Sequence, residues 1–188
     1  MAYVFQELAI KGVYLITPQV FGDRRGYFME TYKKEPFAEH GIAAEFVQDN
    51  ESSSTRGVLR GLHFQTAHTQ GKLVRVTAGR VFDVAVDVRP GSGTFGKWVG
   101  EELDAEKKQM LWIPPGFAHG FLVLSDTASF VYKCTDIYDP KAEGGIPWDD
   151  PDIAVSWPTL DVPYRTSDKD SAHPGFREQD FSWAGKYL

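Results

Sequence analysis

The chain has 188 residues, 42% apolar and 24% charged, which suits one soluble globular domain over residues 1–188. A net charge of −6 excludes broad nucleic-acid binding, and no apolar run approaches the length of a membrane span. A single cysteine, Cys134, excludes an intramolecular disulfide and a cysteine-based zinc site; with no basic-then-apolar leader in Met1 to Ile10, the expected location is cytoplasmic.

Short β-like segments dominate. Gly12 to Val20 alternates loosely and runs into a turn at Phe21-Gly22-Asp23, and Gly26 to Tyr32 follows as a second strand. Lys34 to His40 is predicted as a short helix closed by Gly41. Glu45 to Asp49 reads as a strand and Ser52 to Arg56 as a polar loop. Lys72 to Val88 reads as a hairpin turning at Ala78-Gly79. With a two-residue loop, Lys72, Val74, Val76, Val81, Asp83, Ala85 and Asp87 share one face. Leu73, Arg75, Thr77, Arg80, Phe82, Val84, Val86 and Val88 share the other, and Phe82 and the valines mark it as core. The first face places Lys72 diagonal to Asp83 as an ion pair and suits either a polar cavity wall or a solvent face. Further strands are expected at Trp98 to Leu103, Met110 to Ile113, Gly120 to Leu124 and Phe130 to Thr135. This succession argues for a β sandwich or barrel. After Pro140 the pattern weakens; Trp148 to Pro151 and Trp157-Pro158 read as loop anchors, and Ser167 to Asp170 opens a short helical turn.

Two of the five histidines stand beside glycine in apolar strand-like segments: His63 in Gly57 to Gln65, and His119 in Pro114 to Phe121. On residue pattern alone, each is more often a hydrogen-bonded core or rim histidine than a catalyst. The Pro-x-Gly-x-x-His stretch ending at His119 resembles the second motif of the cupin superfamily, which implies a mainly β, antiparallel jelly-roll barrel with a few short helices. Cupin metal sites draw on a His-x-His and a nearby Glu, where this chain has His63-Phe64-Gln65. Too few ligands remain to hold a metal, so none is expected.

A closer resemblance covers most of the chain. Phe21-Gly22-Asp23 with Arg25-Gly26, Glu30-Thr31, Gln48-Asp49-Asn50, Gly57 to Gln65, Gln70 to Arg75 and Phe82 to Val88 stand in the order found in the dTDP-4-dehydrorhamnose 3,5-epimerase family. So do Gly96 to Gly100, Trp112 to Leu124, Tyr132 to Thr135, Gly144 to Ile146 and Trp148 to Pro151, which continue the series toward Asp170. The resemblance implies cofactor-independent inversion at C3 and C5 of dTDP-4-keto-6-deoxy-D-glucose, giving dTDP-4-keto-L-rhamnose for dTDP-L-rhamnose synthesis, by a homodimeric enzyme. It implies His63 as base, Asp170 as the carboxylate paired with it, Lys72 as the cation near the C4 oxygen and Tyr132 as proton donor on the far face. It also implies substrate contacts by Arg25, Glu30, Gln48, Asp49, Asn50, Arg60, His119, Glu143 and Lys169. His40, His68 and His173 are left as surface or structural residues.

One tension stands inside this assignment: on a flat strand Arg60 and His63 point to opposite faces, so sharing a pocket requires a bulge near Gly61, an extended ligand or a partner subunit. Alternatives are an epimerase acting at C3 or C5 alone, a metal-dependent cupin enzyme, and a non-catalytic sugar-nucleotide binder.

Overall fold

The computed structural model describes residues 2–188. Its strands are β1 (Tyr3–Glu7), β2 (Tyr14–Pro18), β3 (Val20–Asp23), β4 (Gly26–Met29), β5 (Gln48–Thr55), β6 (Leu59–Gln65) and β7 (Lys72–Ala78). They continue with β8 (Arg80–Asp87), β9 (Trp98–Asp104), β10 (Met110–Ile113), β11 (Phe117–Val123), β12 (Thr127–Cys134) and β13 (Glu143–Gly145). Helix α1 (Lys34–Glu39) precedes β5, α2 (Asp168–Ser171) follows β13, and two short 3-10 turns close the chain.

One sheet has the order β1-β2-β10-β7-β12-β5 and the other β13-β6-β11-β8-β9, while β3 and β4 form a separate two-stranded arm. The main apolar cluster joins Leu15, Val74, Val76 and Phe130 of the first sheet to Val81, Ala85, Phe117 and Phe121 of the second. The rings of Phe121 and Phe130 stack with centroids 4.1 Å apart, so the two sheets are packed face to face. The fold is the expected mainly β, cupin-like jelly roll.

The outer faces are covered too. Phe37 of α1 and Ile42 pack on Leu73, Met110 and Trp112 of the first sheet. Val84, Val86 and Val88 pack against Ile146, Ile153, Phe181 and Ala184 from the C-terminal segment. Burying such a side chain is worth roughly 1.5–3 kcal/mol, so this wrapping is part of the folding free energy rather than decoration. Within it, the Trp157 indole N–H donates to the Trp148 carbonyl at 2.8 Å, which makes these two residues the anchors their sequence context suggested.

Several local expectations are corrected. Lys72 to Val88 is not a hairpin: β7 pairs with β10 and β12, whereas β8 pairs with β9 and β11. The chain changes sheet at Gly79, whose φ is +77° and where a Cβ would lie 2.0 Å from the Thr127 carbonyl oxygen. A glycine between two alternating runs signals a sharp corner, and alternation does not say whether the second run returns beside the first or crosses to the facing sheet. The grouping of residues survives this correction, because Val74, Val76, Val81 and Ala85 do meet in the barrel interior. Core lies on both faces, however, and the mixed face is the inner one.

Ser52 to Thr55 belongs to β5 rather than to a loop, held by pairing with β12, including Ser52 opposite Phe130. Edge position lets a strand expose polar side chains, which conceals it in a reading by composition. The Asp23↔Gly26 pair places the first turn at Arg24-Arg25, and β4 ends at Met29. Strand β13 lay in the segment with no clear pattern; it is three residues long and held by pairing with β6.

Candidate active site

Register on the second sheet builds one wall of the cavity. His119 pairs with His63, yet Phe121 pairs with Arg60. Strand β6 therefore carries one more residue than β11 between the two pairs, and this bulge turns Arg60 and His63 to the same side. Gly61 makes it feasible: its φ is +110°, and a Cβ there would lie 2.5 Å from the Gly120 Cα. The tension between Arg60 and His63 is resolved within one chain. Both line a cleft of about 400 Å³ together with Glu143, Arg165, Lys169 and Asp170.

Asp170 arrives from outside the barrel. Ser167 caps α2 by accepting a hydrogen bond from the Asp170 N–H at 3.1 Å, which fixes the carboxylate over β6. His63 Nε2 lies 2.7 Å from Asp170 Oδ1, and the Gly61 N–H points at Oδ2 from 3.4 Å. A carboxylate accepts, so His63 donates through Nε2 and its lone pair is on Nδ1. Burial opposes the Asp170 charge, but the His63 hydrogen bond and charge outweigh it and hold the carboxyl below the ordinary carboxylate range.

His119 donates through Nε2 to both oxygens of Asp83 at 3.0 Å. The expected Lys72–Asp83 ion pair is therefore replaced: Asp83, fully buried, is taken by His119. Burial pushes the His119 imidazole below its ordinary pKa, although Asp83 opposes this.

The facing wall comes from β5, β7 and β12. Lys72 stands opposite Cys134, and Val74 opposite Tyr132. Lys72 and Tyr132 are thus diagonal neighbours on the inner face. Lys72 is half-buried on the inner face, and desolvation lowers its pKa below the ordinary lysine value against the opposing pull of Cys134, Asp83 and Glu143. Burial raises the Tyr132 hydroxyl, so it keeps its proton at neutral pH. Gln48 and Asn50 share this wall: the Gln48 amide donates to Asn50 Oδ1 at 3.0 Å, and the Asn50 amide lies 3.5 Å from the Cys134 sulfur. Glu143, on β13, accepts from the Tyr138 hydroxyl and is ion-paired to Lys169. It therefore ties the α2 segment to the cleft.

Three of the expected contact residues are not brought to this cleft within one chain. Asp49 points to the outer face of β5, where it pairs with Lys133 at 3.0 Å, because alternation separates it from Gln48 and Asn50. Arg25 is 83% exposed on the β3–β4 arm and paired to Asp23 at 2.6 Å. Glu30 follows the same arm, with a buried Oε2 that has no hydrogen-bond partner among the described residues.

Of the unassigned histidines, His40 stacks on Phe5 and His68 pairs with Asp136, both structural as expected. His173 differs: its side chain is 10% exposed and its Nε2 lies 3.9 Å from Asp170 Oδ1. Its spacing of three residues from Asp170 across a helical turn was the available signal.

Chemically, the cavity offers an imidazole lone pair held by a carboxylate on one wall and a cation beside a protonated phenol on the other. Known proteins resemble this chain over most of its length. The family model for dTDP-4-dehydrorhamnose 3,5-epimerase matches residues 7–178. The dTDP-4-dehydrorhamnose 3,5-epimerase of Pseudomonas aeruginosa is 55% identical over 174 residues, covering 92% of this chain and 96% of that protein. The fold is similar to the dTDP-6-deoxy-D-glucose-3,5-epimerase of Legionella pneumophila, crystallised with dTDP-4-keto-L-rhamnose, with a TM-score of 0.94, 48% identity and 97% of each chain covered. The dTDP-4-dehydrorhamnose 3,5-epimerase of Elizabethkingia anophelis gives a TM-score of 0.90 at 46% identity, with 94% of this chain and 98% of that one covered.

Proposed function

The chain belongs to the dTDP-4-dehydrorhamnose 3,5-epimerase family, and from that premise we propose that its cavity inverts C3 and C5 of dTDP-4-keto-6-deoxy-D-glucose to give dTDP-4-keto-L-rhamnose, the isomerase step of dTDP-L-rhamnose synthesis. The observation that carries the mechanism is the His63–Asp170 pair on one wall facing Lys72 and Tyr132 on the other.

The 4-ketone makes the protons on both neighbouring carbons acidic. His63 Nδ1 removes a proton, and Asp170 stabilises the imidazolium that results. The electron pair left on carbon delocalises onto the C4 oxygen, where the Lys72 ammonium stabilises the enolate. Tyr132 returns a proton from the opposite face, which inverts the carbon. Once His63 gives its proton to solvent and Tyr132 regains one from it, repetition at the second carbon completes the reaction; no redox change is involved, so no cofactor is required.

Arg60 and Lys169, at the mouth of the cleft, suit the diphosphate. Glu143, Gln48, Asn50 and His119 hold the sugar. Arg25, Glu30 and Asp49 contribute through a homodimer in which the β3–β4 arm reaches a partner. In support, Tyr27 and Phe28 on that arm are 56% and 61% exposed, an apolar surface suited to burial against a second copy. No helix among the described residues is long and apolar enough to cross a membrane. A cytoplasmic site of action completes the reading, and the free Cys134 thiol is at home there.

Incubation with dTDP-4-keto-6-deoxy-D-glucose in D2O, followed by NMR, tests the proposal. Deuterium at C3 and C5 together with the L-sugar is expected. Exchange at one carbon alone identifies a single-site epimerase, and exchange at neither removes this substrate.

A further inference from the structure

We propose that His63, Asp170 and His173 form a zinc-binding site whose occupation switches the enzyme off. The ligating atoms of these three residues lie within 4.8 Å of one another. Their chemistry is two imidazole nitrogens and one carboxylate oxygen, a donor set that zinc takes in three-ligand sites with an open fourth position.

His173 is the unexpected member. Its side chain is nine-tenths buried, and its Nε2 is shut off from solvent with no hydrogen-bond partner among the described residues. A buried imidazole nitrogen without a partner is unfavourable unless some group meets it. Gly145 makes room for the ring: a Cβ there would fall 2.4 Å from His173 Nε2. Its ring stands nearly perpendicular to that of His63, with centroids 5.9 Å apart.

Donors about 2.0–2.2 Å from a tetrahedral zinc stand roughly 3.4 Å from one another. The His63–Asp170 separation of 2.7 Å must widen and the His173–Asp170 separation of 3.9 Å must close. Two of the three ligands, His63 and Asp170, line the cleft that also holds Arg60 and Glu143.

Occupation has a definite consequence for His63. Zinc on Nε2 displaces the proton now shared with Asp170, and the neutral ring then carries its proton on Nδ1. The lone pair needed for proton abstraction is gone, and Asp170 is engaged by the metal. This consequence rests on the role proposed for His63, whereas metal binding itself does not.

Calorimetric titration of the whole protein with ZnCl2 tests binding, and deuterium exchange into the dTDP-4-keto sugar tests inhibition. One zinc per chain is expected, with exchange lost on addition and restored by EDTA. His173→Ala and His173→Asn proteins should keep their turnover, bind zinc at least about tenfold more weakly and resist inhibition. Absence of binding to the unaltered protein overturns the site, as does equal binding by the His173 variants. Zinc bound with exchange unchanged overturns the switch. If the unaltered protein lacks epimerisation altogether, the functional reading fails and the titration still decides the site.

Discussion

Asp170 accepts a hydrogen bond from His63 Nε2 at 2.7 Å across 107 residues of chain, and this pairing fixes which imidazole nitrogen keeps its lone pair. In the Asp170→Asn protein the side-chain amide can donate to Nε2 instead and so favour the tautomer protonated on Nδ1, and the imidazolium loses its counter-charge. Turnover should fall on the order of 10²–10⁴-fold, with little change in KM. Steady-state kinetics on folded protein checks this, and turnover equal to that of the unaltered enzyme would remove Asp170 from the mechanism.

Tyr132 presents a protonated hydroxyl from the facing sheet. Tyr132→Phe removes only that oxygen from a ring packed on the main core cluster. Stereochemical inversion should drop on the order of 10²-fold or more while substrate affinity changes little. Wash-out of substrate deuterium into water should outlast formation of the L-sugar, because abstraction by His63 is intact. Parallel loss of both activities would contradict separate base and acid.

Lys72 gives a pH prediction. Desolvation lowers its pKa, so the ammonium loses its proton at a pH below the ordinary lysine range. Activity should therefore decline on the alkaline side earlier than free lysine titrates. In Lys72→Arg, whose guanidinium stays charged, that limb should disappear from whatever activity remains. A limb unchanged in the arginine variant would assign it to another group.

Asp87 governs acid stability rather than chemistry. It accepts from Arg89 Nε at 2.9 Å and Nη2 at 2.8 Å, and from the hydroxyls of Ser92 and Thr94 at 2.6 Å each. Burial opposes its charge, yet the hydrogen bonds from Arg89, Ser92 and Thr94 hold its pKa below the ordinary carboxylate value. A depressed carboxyl contributes stability that is complete above the unfolded-state pKa and lost as pH falls through the folded one. Asp87→Ala leaves the 11% exposed Arg89 unpaired and should cost about 3–5 kcal/mol, measured by urea unfolding at neutral pH. Its stability should also respond less to acid than that of the unaltered protein.

The amino-acid sequence by itself determined the β character, the short helix ending at Gly41 and the grouping of Lys72, Val74, Val76, Val81, Asp83 and Ala85 on one face, though not that this face is the inner one, and family resemblance singled out His63, Lys72, Tyr132 and Asp170. These are legible because side-chain alternation and motif spacing are local properties of the chain. Tertiary structure alone decided the rest. Alternation reports a face but not a partner, so it could not show that β7 and β8 belong to different sheets. Only register could reveal the bulge that turns Arg60 toward His63, or give Asp83 to His119 rather than to Lys72. The place of Asp170 and His173 beside His63 likewise needed the fold, because the α2 segment reaches the cavity from the outside, after the barrel strands have closed.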